Sequence, residues 1–108
     1  MRLRNNNKAR VVSVPYAATV NFTPGSGDVT LKVGQMTGAL AINIIDAFAE
    51  DGDVLKLLYS ADATQRIITI GGAQGAGGTI TVGANGAGAS LLIYNSDSGN
   101  YLSTVTPV

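Results

Sequence analysis

Cysteine, histidine and tryptophan are all absent from this chain of 108 residues. Without cysteine or histidine, the chain can form neither a disulfide nor a zinc site of the Cys/His type. The Ser–His and Cys–His pairs that activate nucleophiles are excluded for the same reason. The sequence therefore predicts a protein that is not an enzyme, that has no cofactor and that acts on no small-molecule substrate.

Charged residues are scarce as well. They make up 13% of the chain, against about 25% in a typical soluble domain, while 45% of the residues are hydrophobic. A chain of this length is one domain at most, and it buries only about two-thirds of its unfolded surface. With no disulfide or metal to reinforce so small a core, the composition predicts that partner chains cover part of the surface.

The few basic residues are concentrated at the amino terminus. Arg2, Arg4, Lys8 and Arg10 lie in the first ten residues, which contain no acid, whereas residues 11–108 hold three basic and seven acidic side chains, a balance of 3 − 7 = −4. We expect residues 1–10 to be a flexible basic arm, and these four side chains to attach the domain of residues 11–108 to another surface. The alternative is a solvated tail without a role.

Two other partners are not expected. Nucleic-acid binding by stacking needs aromatic residues interleaved with basic ones, and the four tyrosines and two phenylalanines lie outside the basic arm. A membrane partner is not expected either, because no apolar stretch approaches the ~20 residues of a transmembrane helix.

Short apolar runs separated by turn residues predict an all-β fold. Only residues 46–53 have any helical character, and they are too few for a stable helix. We expect a single β-sandwich or jelly-roll-like domain of about eight short strands. The predicted strands are Val11–Val14 with Ala17–Phe22, Val29–Val33, Ala39–Ile45, Val54–Tyr59, Arg66–Ile70, Thr79–Val82, Ser90–Tyr94 and Tyr101–Val105.

Several of these strands are apolar on both faces. An antiparallel strand with one solvated face alternates apolar and polar residues, but the segments 54–59 and 91–94 do not. One face must pack within the domain and the other against something else, either a second subunit or a second sheet. The subunit is the preferred interpretation, and the predicted interface residues are Leu55, Leu57, Leu58, Leu91, Leu92 and Ile93.

Two motifs could bind a ligand, and neither is complete. The acidic residues Asp46, Glu50, Asp51 and Asp53 lack the spacing of a calcium-binding EF-hand loop, so we interpret them as a solvated turn and predict no metal site. The glycine-rich segment 71–78 lacks the Lys-Ser/Thr pair of a phosphate-binding loop and leads into a strand, not a helix. Its glycines are those of tight turns and close backbone approach.

Residues 53–101 resemble a β module found at the carboxyl ends of phage tail-fibre, head-fibre and other virion proteins. The matching features are the segment DVLKLLYSADATQRIITIGG (residues 53–72), the strand Thr79-Ile80-Thr81 and the final turn Asp97-Ser98-Gly99-Asn100-Tyr101. The turn departs from the family pattern in Ser98 and in Tyr101, where the family usually has glycine and tryptophan.

This resemblance implies a virion structural protein that acts as a homotrimer, with no common active site. The expected role is that of a capsid decoration or cement protein, or of a head-fibre component, at the capsid surface or in a fibre. The expected partner is the major capsid protein or another virion protein, contacted by the basic arm. The alternative is a receptor- or carbohydrate-binding module of a phage fibre, for which Tyr94 and Tyr101 are the stacking candidates.

Overall fold

Each predicted strand has a counterpart in a computed structural model of the chain, which describes residues 10–45, 49–75 and 77–103. These ranges contain no helix, so the prediction of an all-β fold is confirmed. The nine strands are β1 (Arg10–Val14), β2 (Thr19–Phe22), β3 (Val29–Val33), β4 (Leu40–Ile44), β5 (Val54–Ser60), β6 (Arg66–Gly71), β7 (Thr79–Val82), β8 (Ala87–Asn95) and β9 (Asn100–Ser103).

The strands form two sheets, and the first six alternate between them. One sheet has five strands in the order β1-β3-β5-β8-β9, and the other has four in the order β2-β4-β6-β7. Strands β1, β3 and β5 are mutually parallel, as are β2, β4 and β6, so the chain winds through three stacked coils. The β-sandwich is therefore confirmed; a jelly roll differs in being built of antiparallel strands.

The last three strands pair antiparallel with their neighbours and complete the two sheets. Strand β7 pairs antiparallel with β6, and β8 pairs antiparallel with β5 and then with β9. Strand β8 is longer than predicted, because its first residues, expected in a glycine-rich loop, pair with the end of β5. Gly88 lies opposite Tyr59 and leaves room for that ring, whose hydroxyl lies 2.6 Å from Ser90 Oγ.

Alternate residues of both sheets fill the space between them. In the five-stranded sheet Val12, Leu31 and Leu57 are register partners, and Leu31 and Leu57 are almost fully buried. The four-stranded sheet contributes Ile42 and Ile70 in the same way. Burying one large aliphatic side chain contributes roughly 1.5–3 kcal/mol to stability, so these rows account for the cohesion of the sandwich.

The loop after β6 shows why the glycine-rich segment is needed. Gly72 has a φ of +87°, and a Cβ atom there would lie 2.5 Å from the backbone nitrogen of Ile44. In the same loop, the backbone N–H of Gln74 donates to the Ile44 carbonyl (3.1 Å). The Gln74 carbonyl in turn accepts the backbone N–H of Tyr101 (2.9 Å). Only glycine allows the loop to approach β4 this closely while it links the two sheets.

Candidate interaction surface

The outer face of the five-stranded sheet carries a group of exposed apolar side chains. Val54, Ile93 and Leu102 are register partners across β5, β8 and β9, so they form one row. Leu91 precedes this row on β8, and Leu58 follows it on β5. Ile93, Leu91 and Leu102 are 39%, 38% and 37% exposed, and the other two are half-buried. We call Val54, Leu58, Leu91, Ile93 and Leu102 the apolar strip.

The structure divides the six predicted interface residues between the two faces of the sheet. Leu55, Leu57 and Leu92 point into the sandwich and are 0%, 1% and 2% exposed. Their side chains are enclosed by the domain itself and leave no surface for a second subunit. The remaining three, Leu58, Leu91 and Ile93, belong to the apolar strip, and the second sheet covers only the inner set.

Two lysines accompany the apolar strip: Lys56 lies within it, between Val54 and Leu58 on β5, and Lys32 lies beside it on β3. Lys56 lies opposite Leu91 across β5 and β8, and Lys32 lies opposite Leu58 across β3 and β5. Both side chains are exposed. Among the described residues, the only ion pair joins Arg66 to Asp62, 2.8 Å apart and four positions apart in sequence. Lys32 and Lys56 therefore have no acidic partner within this part of the chain.

Acidic residues gather at one end of the strip, where they connect successive loops. Asp28 Oδ1 accepts the Val54 N–H at 2.9 Å, and Asp53 Oδ2 accepts the N–H groups of Gly27 and Glu50, each at 2.9 Å. These bonds hold the loop before β3 against the loop before β5. The carboxylates of Asp28 and Asp53 are thus structural acceptors, a role that residue type and spacing alone do not distinguish from that of a solvated turn.

Asp51 performs the same task for the turn between β8 and β9. Its carboxylate accepts the backbone N–H of Ser96 at 2.5 Å and the Ser96 hydroxyl at 2.9 Å. These two hydrogen bonds lower the pKa of Asp51 below its ordinary value. The bonded carboxylate therefore stays ionised at neutral pH and fixes the turn beside the apolar strip.

Two carboxylates at this end have no such task. The side chains of Glu50 and Asp97 are exposed and accept no hydrogen bond within the described residues. Within residues 10–45, 49–75 and 77–103, no group of three or more acidic side chains has the arrangement of a metal site. Asp46, the fourth acid of the predicted cluster, lies outside the described residues.

The predicted basic arm is described only at its last residue. Arg10 is the first residue of β1, where it is the register partner of Val29. Its guanidinium donates to the Pro24 carbonyl and, at 3.5 Å, to the Ser26 carbonyl. Arg10 is thus part of the folded sheet. The other predicted attachment residues, Arg2, Arg4 and Lys8, lie outside the described residues.

The two tyrosines considered for sugar stacking lie on the inner side of the sheet. Tyr101 is 0% exposed, and its ring meets that of Tyr94 edge to face, with centroids 5.4 Å apart and an interplanar angle of 70°. Burial raises the pKa of the Tyr101 hydroxyl, which has no hydrogen-bond partner among the described residues. The pair fills the core and offers no open platform for a carbohydrate ring.

The outer face of the four-stranded sheet is polar and uncharged along its strands. Asn43 Nδ2 donates to Asn21 Oδ1 at 3.1 Å across β4 and β2. The exception to its polarity is Ile67, which is 44% exposed. We call this surface the polar face; its outward residues are Thr19, Asn21, Ala41, Asn43, Ile67, Thr69, Thr79 and Thr81.

Comparison with known proteins gives no relative: no family model, no curated protein and no solved structure matches the chain. Within the described ranges, no helix has the length and apolar character of a membrane span. The apolar strip, with the lysines and free carboxylates around it, is consequently the feature from which a function must be argued.

Proposed function

We propose that the chain is a virion structural protein, a capsid decoration or cement protein or a head-fibre component, that acts as a homotrimer. The observation that carries the proposal is the apolar strip, which leaves five aliphatic side chains of three neighbouring strands on the outside of a domain with a complete core of its own. The resemblance of residues 53–101 to a phage virion module supports the virion assignment.

Association would remove the strip from water. A fully buried aliphatic side chain contributes roughly 1.5–3 kcal/mol, so one that is about 40% exposed gains a fraction of that when a subunit covers it. No single residue of the strip would hold an assembly together. Five such residues on each of three subunits, buried around one closed interface, would together hold the assembly.

Attachment to a shell would fall to the arm. Since Arg10 is occupied within β1, the residues available for this task are Arg2, Arg4 and Lys8. Deleting residues 2–8 should leave the assembly intact and weaken its binding to empty capsids. The difference between deleted and full-length protein should shrink as salt is raised, because salt screens exposed charges.

The test of the proposal is the mass of the protein in solution. Light scattering coupled to size-exclusion chromatography should give about three times the 11.0 kDa mass of one chain. A single-chain mass at micromolar concentration would contradict the homotrimer.

A matched pair of variants locates the interface. Leu91→Asp places a charge within the apolar strip, and Thr81→Asp places the same charge on an exposed strand position of the polar face. We expect Leu91→Asp to release folded monomers, because a buried unpaired charge costs several kcal/mol. Thr81→Asp should remain trimeric, and dissociation of both variants alike would remove the strip from the interface.

A further inference from the structure

We propose that the free lysines beside the apolar strip, Lys32 and Lys56, form ion pairs with the free carboxylates of Glu50 and Asp97 on a neighbouring copy of this chain. This inference rests on the proposed homotrimer and adds to it the charged contacts that orient the subunits.

The lysines are positioned for contact with whatever covers the strip. Lys56 stands between Thr30 and Leu91 in the outward row of its sheet, and Lys32 lies beside Leu58. Their side chains are long enough for the ammonium groups to extend beyond the neighbouring leucines while the methylene groups pack against them. A subunit packed on the strip must come within reach of both ammonium groups.

The carboxylates lie at the same surface but at a different part of its margin. Asp97 belongs to the turn that joins β8 and β9, two residues after Asn95, which pairs with Asn100. Glu50 precedes β5 beside Asp51, whose bonds to Ser96 hold that turn in place. Both free acids are therefore fixed at the end of the strip, away from the lysines of the same chain.

Charge complementarity identifies the occupant as a second copy. The outer surface of the five-stranded sheet supplies two unpaired cations and, at its end, two unpaired anions, so the chain carries both halves of the contact. In a cyclic trimer, each interface joins one part of a subunit's surface to a different part of its neighbour's. Such an arrangement brings the lysines of one copy to the acids of the next without a second type of protein.

Charge exchange tests this contact. Lys56→Glu and Asp97→Lys should each raise the trimer dissociation constant by about tenfold at low salt, since like charges then meet across the interface. The double variant should recover most of the affinity, as should Lys56→Glu combined with Glu50→Lys if Glu50 is the partner. Failure of both double variants to recover affinity would overturn the proposal. Thr81→Glu, on the polar face, is the control and should leave the dissociation constant unchanged.

The outcome for the ion pairs is separable from that for the trimer. If Leu91→Asp releases monomers while single charge reversals change nothing, the apolar interface stands and the ion pairs do not exist. If the reversals weaken only binding to empty capsids and leave the trimer intact, the charges serve a different protein and the inference is wrong. All the residues changed are exposed, so melting temperatures should confirm that each variant is folded.

Discussion

The outer faces of the two sheets differ although their inner faces are alike. Both sheets bury one aliphatic side chain at every second position, as Leu55 and Leu57 do in β5 and Ile68 and Ile70 do in β6. On the outside, β6 contributes to the polar face, which is rich in threonine and asparagine, whereas β5 contributes to the apolar strip. A fold alone does not require this asymmetry, because a polar outer face suffices for a soluble sandwich.

The asymmetry favours one of the two outer faces as the interface of the proposed assembly. A face that only meets water needs side chains such as those of Thr69 and Thr81, whose polar groups remain solvated. The aliphatic side chains of Leu91 and Ile93 form no hydrogen bonds with water, and covering them with another surface is favourable. The comparison thus supports the proposal that association uses the outer face of the five-stranded sheet, with the polar face left to solvent.

A charged residue on the inner side of β5 should have the largest effect on stability. Leu57 is 1% exposed, and Leu57→Asp would place an unpaired charge in the core, so we expect the protein to lose about 3–5 kcal/mol of stability, a large share of the roughly 5–15 kcal/mol of a typical domain. Circular dichroism during urea titration measures this. The neighbouring outward change Leu58→Asp should instead preserve the fold and weaken association; equal unfolding by both would erase the distinction between the faces.

A glycine change probes the backbone that holds the four-stranded sheet against its neighbour. Gly72→Ala requires a positive φ for alanine and a contact with Ile44 that the backbone must relieve, so we expect a loss of about 1–3 kcal/mol. Gly83→Ala is the matched control, since a Cβ there meets nothing within 4 Å. Thermal unfolding of the two variants should differ by several degrees. Equal melting temperatures would mean that the loop after β6 can move away from β4 without cost.

The smallest effect is expected at the edge of the five-stranded sheet. The Tyr101 hydroxyl is buried and has no partner in the part of the chain that the structure describes, and a buried polar group without a hydrogen bond costs about 1–3 kcal/mol. Tyr101→Phe removes the hydroxyl and keeps the edge contact with Tyr94. It should leave stability unchanged or raise it by up to about 1 kcal/mol in urea unfolding. A clear loss would show that the hydroxyl has a partner in solution.

The alternation of apolar and polar residues was sufficient to predict most strands, and the features that it missed have physical reasons. Val29–Val33 has the predicted bounds because turn residues and clean alternation mark both ends. Parallel pairing could not be read from the same pattern, since strand periodicity is identical in parallel and antiparallel sheets. The early start of β8 was missed because Ala87 and Gly88 resemble loop residues until Tyr59 is known to lie opposite.

The candidate surface was predicted in part for a similar reason. Two-sided apolarity correctly indicated that β5 and β8 have leucines on both faces, but it does not tell which face is enclosed by the domain. That depends on the position of the four-stranded sheet, which covers Leu55, Leu57 and Leu92 and leaves Leu58, Leu91 and Ile93 outside. The structural roles of Asp28, Asp51 and Asp53 depend on loops distant in sequence and left no local signal.

The absence of cysteine allows the difference between the two outer faces to be measured directly. Single variants Leu91→Cys and Thr81→Cys place a thiol on the apolar strip and on the polar face, at two exposed strand positions. At micromolar concentration, a maleimide reagent should label position 81 at least about tenfold faster than position 91, and the two rates should converge on dilution as the subunits separate. Equal rates at every concentration would show that the apolar strip is open to solvent, and would contradict the account.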